Sequence, residues 1–162
     1  VLILCGLIAS GKSTFAEALQ QHFPLFRRCN QDDLGDRRRV EQLARDTLAQ
    51  GQSACIDRTN FNAAQRSYWI EIANEFPQIA IWVIVFDTPY EVCAERLRTR
   101  QNHPTITSVE LGLDVLSRFS ADFEQPYPNE GYHRIIRLKP EETFVTYSRS
   151  DVAAILRKVQ YS

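Results

Sequence analysis

Residues 6–13 read Gly-Leu-Ile-Ala-Ser-Gly-Lys-Ser, and they stand between an unbroken apolar run, Val1–Cys5, and an amphipathic stretch that begins at Lys12. The run before the loop does not alternate, which reads as a strand covered on both faces. Beyond the loop, Phe15, Ala16, Ala18, Leu19 and Phe23 recur at helical spacing until Pro24 stops the pattern. Strand, glycine-bounded loop and helix give Gly-x-x-x-x-Gly-Lys-Ser/Thr the context that makes it meaningful. Backbone N–H groups of such a loop converge on an anion, and the following helix aims the positive end of its dipole at the same point. The residues expected to hold that anion are Gly6, Ala9, Ser10, Gly11, Lys12, Ser13 and Thr14. Lys12 supplies a point charge between a β- and a γ-phosphate, and the Ser13 hydroxyl is a ligand for Mg²⁺. The pattern predicts a nucleoside triphosphate with Mg²⁺ and leaves ATP and GTP both open. It also leaves open the fate of the γ-phosphate, since kinases, switches and motors share it.

Outward from the loop, strands and helices alternate. Leu25–Cys29 reads as a second strand, less clean because of Arg27 and Arg28. Asp36–Gln50 is helical, with Val40, Leu43, Ala44, Thr47 and Leu48 on one face and Gly51 at its end. Ser53–Ile56 is a third strand, and Ala63–Phe76 is a helix closed by Pro77. Ile79–Phe86 is the strongest strand in the chain, and Pro89 opens a helix that runs to about Arg98. Ser108–Phe119 is a further helix, His133–Leu138 a last strand and Asp151–Val159 a last helix. Such alternation predicts an α/β fold: a three-layer sandwich with a central parallel sheet flanked by helices. We expect one domain over residues 1–162. The polar, proline-containing stretch Arg98–Thr105 looks like a lid, with Arg96 and Arg100 sharing a helix face if the helix persists. Arginines there would close over the triphosphate and stabilise the transferring phosphoryl group.

The chain has 162 residues, 44% hydrophobic and 24% charged, which excludes collagen-like and disordered classes. Its 19 basic and 20 acidic residues give a net charge of −1, so any nucleic-acid binding must come from a local patch. No apolar run approaches the ~20 residues that span a bilayer, so no membrane partner is expected. Cys5, Cys29, Cys55 and Cys93 lie far apart with no paired spacing, which points to a reducing, intracellular compartment, cytoplasmic or nuclear. The chain has no methionine and opens on a core strand, so further residues are expected before Val1 in the natural protein.

A carboxylate near a neighbouring strand end is what an acceptor hydroxyl needs if a phosphate is to be transferred. The second strand leads into Asn30-Gln31-Asp32-Asp33-Leu34-Gly35, at the end of the sheet where ligands bind. Asp32 is the expected general base, Asp33 an acceptor-side residue, and Asp33 or Asp36 the cap of the following helix. The third strand leads into Ile56-Asp57-Arg58-Thr59-Asn60, where Asp57 is placed to hold the water shell of Mg²⁺. Thr59 and Asn60 offer hydrogen bonds beside the acceptor, and Arg66, one turn into the next helix, is a candidate for an acceptor phosphate.

Four stretches in order, Gly6–Thr14, Asn30–Gly35, Ile56–Asn60 with Arg66, and Arg118–Leu138, resemble the polynucleotide 5′-hydroxyl kinase family of P-loop phosphotransferases. The resemblance implies transfer of the ATP γ-phosphate to the 5′-hydroxyl of a DNA or RNA end. It implies Lys12 and Ser13 on the triphosphate and Mg²⁺, Asp32 as base and Asp57 as the third-strand acid. Thr59, Asn60 and Arg66 would wall the acceptor pocket, and Arg96 and Arg100 would belong to the lid. The chain departs from the family at Ile8-Ala9, where Pro-Gly is usual, and at Gly35, which replaces an acceptor-contacting arginine. Arg58 stands where many relatives carry an acid or amide. Two other readings share the donor side: a kinase for a small-molecule metabolite, and a nucleotide-binding switch with no acceptor.

Overall fold

The computed structural model describes residues 1–100 and 108–162. Five strands form one sheet: β1 (Leu2–Cys5), β2 (Phe26–Asn30), β3 (Ser53–Asp57), β4 (Trp82–Phe86) and β5 (Arg134–Leu138). Their order is β2-β3-β1-β4-β5, and every pairing is parallel. Parallel strands need crossovers, so the chain supplies helices α1 (Lys12–His22), α3 (Arg37–Ala49), α4 (Ala63–Asn74), α5 (Tyr90–Thr99), α6 (Val109–Asp122) and α7 (Arg149–Gln160). A single turn of helix, α2 (Gln31–Leu34), intervenes between β2 and α3.

The two faces of the sheet explain the unbroken apolar runs. Leu2 and Leu4 pack with Phe15 and Leu19 of α1 and with Val152, Ile155 and Val159 of α7. Ile3 and Cys5 face the other way, onto Val40 and Ala44 of α3 and Trp69 and Ile72 of α4. This is the expected three-layer α/β sandwich on a central parallel sheet. The strand expected over Ile79–Phe86 begins only at Trp82; Ile81 is fully buried but lies in the approach to it.

Local chemistry sets the helix starts. Asn30, Asp36, Asn62, Ser108 and Ser148 each accept a backbone N–H of the first turn that follows them. Asp36 therefore caps α3, whereas Asp33 caps nothing; the Asp33 N–H is itself capped by Asn30 Oδ1 at 3.2 Å. α5 ends at Thr99, and Arg100 is already extended, so Arg96 and Arg100 do not share a continuous helix face. Arg98 is exposed beside Glu95, and residues 101–105 of the expected lid lie outside the described residues. No described helix is long and apolar enough to cross a membrane.

Candidate active site

β1 delivers the chain into the loop at the C-terminal end of the sheet. Gly6 is required there: at φ +154°, a Cβ would stand 2.6 Å from Ser10 Oγ and 3.0 Å from the Phe86 carbonyl. Gly11 turns at φ +107° into α1. Ala9 also lies in the left-handed region, at φ 64°, where a methyl side chain costs roughly 1–2 kcal/mol. That is the physical reason a glycine suits the position better.

Lys12 is buried, and its ammonium donates to Gly6 O at 2.8 Å, Leu7 O at 2.7 Å and Ser10 Oγ at 3.3 Å. Burial lowers its pKa from the ordinary lysine value, with Asp57 opposing that shift. Around the loop lies a cleft of about 420 Å³, lined by residues 8–14 and by Asp32, Asp57, Thr59, Asn60 and Arg100. The strand ends therefore bring the predicted base, the predicted metal-side acid and the loop to one opening. Phe61 and Phe119, centroids 5.0 Å apart, line the same cleft with Leu111 and Val115. These four give it an apolar wall, which the sequence reading missed because Phe61 and α6 are far apart in the chain.

Arg28 is a second residue missed from sequence. Its Nε donates to Asp57 Oδ2 at 2.8 Å and its Nη1 to Asp33 Oδ2 at 3.1 Å. Asn30 Nδ2 donates to the same Asp57 Oδ2 at 3.1 Å, which the β2–β3 register allows by placing Asn30 opposite Asp57. Among the described residues these bonds engage Oδ2 and leave Oδ1 of Asp57 outside them. Asp33, expected on the acceptor side, turns instead to Arg28 and does not line the cleft.

Two further expectations need correction. Arg66 has a fully buried side chain; Nε and Nη2 pair with Glu130 at 2.7 Å each, and Nη1 donates to the carbonyls of Asn60 and Glu124. With four of its five N–H groups bonded inside the fold and its side chain wholly buried, it offers no edge to an acceptor phosphate among the described residues. Asn60 sits at φ 47°, donates to Leu4 O at 2.7 Å and accepts from Trp69 Nε1 at 2.8 Å, so its amide clamps the β3–α4 loop to β1. Thr59 lines the cleft, and its carbonyl accepts the Gly6 N–H at 3.1 Å. Arg96 donates from Nη1 to the Ala9 carbonyl at 3.0 Å, bracing the loop, while Arg100 reaches the cleft itself.

The donor set fits Mg²⁺. Among the described residues no cluster of three metal-ligating side chains exists, and magnesium is commonly held by one or two protein oxygens, water and phosphate. The Ser13 hydroxyl and the Asp57 carboxylate supply such oxygens on one cleft.

A parallel sheet with this loop and this cleft defines a P-loop nucleotide-binding domain of the kinase type. The sequence profile of the AAA domain family matches residues 1–126, and the chain belongs to that family. It is 31% identical over 142 residues to a transcription factor, bHLH140, of Arabidopsis thaliana, covering 84% of this chain and 15% of that protein. It is 30% identical over 135 residues to the bifunctional polynucleotide phosphatase/kinase of Schizosaccharomyces pombe, covering 83% of this chain and 32% of that protein. The chain thus spans under a third of these relatives' lengths. Among solved structures, a fungal RNA kinase superposes with a TM-score of 0.76 at 18% identity, over 99% of this chain and 86% of that one. A gluconokinase from Sinorhizobium meliloti superposes with a TM-score of 0.62 at 16% identity, over 99% and 93%. These likenesses show the fold of P-loop kinases.

Proposed function

We propose that this domain transfers the γ-phosphate of ATP to the 5′-hydroxyl of a nucleic-acid end. The observation that carries this reading is the composition of the cleft. Asp32 and the phosphate loop share it with an apolar wall of Phe61, Phe119, Leu111 and Val115. Such a wall suits an acceptor with a flat, stackable base, since aromatic side chains stack with any base. A polyol acceptor would call for hydrogen-bonding groups there instead. The relationship to the fission-yeast polynucleotide phosphatase/kinase supports the same reading.

In this mechanism the loop N–H groups and Lys12 hold the β- and γ-phosphates. Lys12 Nζ exchanges its own loop oxygens for phosphate oxygens. Ser13 and Asp57 would hold Mg²⁺, which would supply positive charge against the triphosphate. The Asp32 carboxylate takes the proton of the acceptor hydroxyl as that oxygen attacks the γ-phosphorus and ADP departs. Arg100, on the cleft, meets charge that spreads over the transferring group. The four buried, unbridged cysteines suit a reducing intracellular compartment.

The test is transfer of label from γ-labelled ATP with Mg²⁺ to a 5′-hydroxyl oligonucleotide, DNA and RNA compared, with Lys12→Ala as the blank. Label on the oligonucleotide, lost in the blank, supports the reading and shows the sugar preference. No label while ATP still binds moves the acceptor to a small metabolite.

A further inference from the structure

The carboxylate expected on the metal side is held from behind. Arg28 and Asn30 stand two residues apart on β2, so both side chains leave the same face of the strand. The β2–β3 register sets Asn30 opposite Asp57 and Arg28 opposite Cys55. Asn30 Nδ2 donates to Asp57 Oδ2 at 3.1 Å and to the Asp57 carbonyl at 3.0 Å. Arg28 Nε donates to the same Oδ2 at 2.8 Å. Asn30 and Asp57 line the cleft, whereas Arg28 does not.

Arg28 is fixed in turn. Its Nη1 donates to Asp33 Oδ2 at 3.1 Å and lies 3.6 Å from Glu17 Oε1 on α1. Its backbone N–H donates to Gln20 Oε1, also on α1, at 2.8 Å. A guanidinium held from several sides does not swing. Burying an ion pair such as Arg28 with Asp57 adds little stability, because desolvation offsets the attraction. What the pair provides is a carboxylate with one orientation. Each oxygen of an ionised carboxylate has two lone-pair positions, and Arg28 and Asn30 fill both on Oδ2. Oδ1, outside these bonds, is the oxygen left for a cation.

We propose that Arg28 is a positioning residue that sets the metal preference of the site. By occupying Asp57 Oδ2 together with Asn30, it limits Asp57 to one oxygen toward the cation. This rests on the reading of Asp57 as the metal-side acid. Calcium takes about six to eight oxygens in a flexible shell and often draws both oxygens of one carboxylate. Magnesium takes a strict octahedral shell, keeps several waters and needs one or two carboxylates beside phosphate. A carboxylate with one oxygen to give, on a side chain that cannot turn, suits magnesium and disfavours calcium. Partners that orient a ligand in this way commonly carry about 10–100-fold in metal affinity. Lysine could not replace Arg28, because it has a methylene where arginine has Nε.

The test is calorimetric binding of a non-hydrolysable ATP analogue in saturating Mg²⁺, in saturating Ca²⁺ and in EDTA. Native protein, Arg28→Met, Arg28→Lys and Asp57→Asn are compared. The native protein should bind the analogue more tightly with Mg²⁺ than with Ca²⁺, and Asp57→Asn should abolish that preference. Arg28→Met should reduce it about tenfold and leave the affinity in EDTA unchanged, since the phosphate loop is untouched. Arg28→Lys should reduce it to a similar degree. That variant keeps the charge among the acids, and it decides alone if Arg28→Met fails to fold. A preference retained in Arg28→Lys overturns the proposal, because charge and not the Nε donor would then be the cause. Affinity lost alike in all three conditions also overturns it and leaves Arg28 a structural ion pair. If the native protein shows no preference, or Asp57→Asn leaves it intact, the metal-side reading of Asp57 has failed and the proposal falls with it.

Discussion

Arg66 and Glu130 lie 64 positions apart and meet through two parallel hydrogen bonds of 2.7 Å, with the arginine side chain wholly inside the protein. The pair pins α4 to the turn that precedes β5. Removing one partner of such a pair strands the other charge, at a cost of about 3–5 kcal/mol. Arg66→Met should therefore lower the urea midpoint sharply. A variant that unfolds like the native protein but binds acceptor worse would return Arg66 to the acceptor pocket.

Asp32 faces the cleft while its neighbour Asp33 turns to Arg28. Asp32→Asn should lose about 10²–10⁴ in phosphotransfer and still bind ATP. Asp33→Asn, which weakens one exposed contact to Arg28, should keep most of the rate. Steady-state kinetics on the two variants side by side check the assignment, and equal losses would undo it.

Lys12 has its pKa lowered by burial. A bound triphosphate favours the charged ammonium and raises that pKa again. At a pH between the two values, ATP binding must take up a proton, so affinity falls as pH rises through the lowered value. Calorimetry at alkaline pH in buffers of different ionisation heat reads the uptake. Lys12→Arg, which stays charged, should abolish it.

Burial pushes the Cys5 and Cys29 thiols up to about 12, and raises those of Cys55 and Cys93 as well. A raised folded-state value contributes stability that is intact below the ordinary thiol range and is lost as pH climbs through the folded value. Urea unfolding at pH 7, 9 and 10.5 should show stability declining above about 9. A thiol reagent at pH 8 should label the native protein slowly and the unfolded chain at once.

The layers of this fold were legible because each face of a parallel sheet is buried, so its strands announce themselves as apolar runs. The phosphate loop was legible because its spacing is set by backbone geometry alone. Side-chain partners were not. Arg28 looked like a blemish in a strand; only the β2–β3 register brings it to Asp57. Arg66 looked free to take an acceptor phosphate because Glu130 lies beyond another strand and two helices. The turn of α2 is too short to have a period, so the different directions of Asp32 and Asp33 could not be read from their adjacency.

The strand order carries one more consequence. The two outermost strands, Phe-Arg-Arg-Cys-Asn and Arg-Ile-Ile-Arg-Leu, each hold two arginines, while the three inner ones hold none. An edge strand offers unpaired N–H and C=O groups to any passing chain, and charge on it discourages a stranger from joining the ladder. Arg27 and Arg134, both exposed, sit where a neighbouring copy would have to bury them. Replacing both with valine would leave the cleft end of the sheet alone and turn its rims into templates for stacking one molecule on the next.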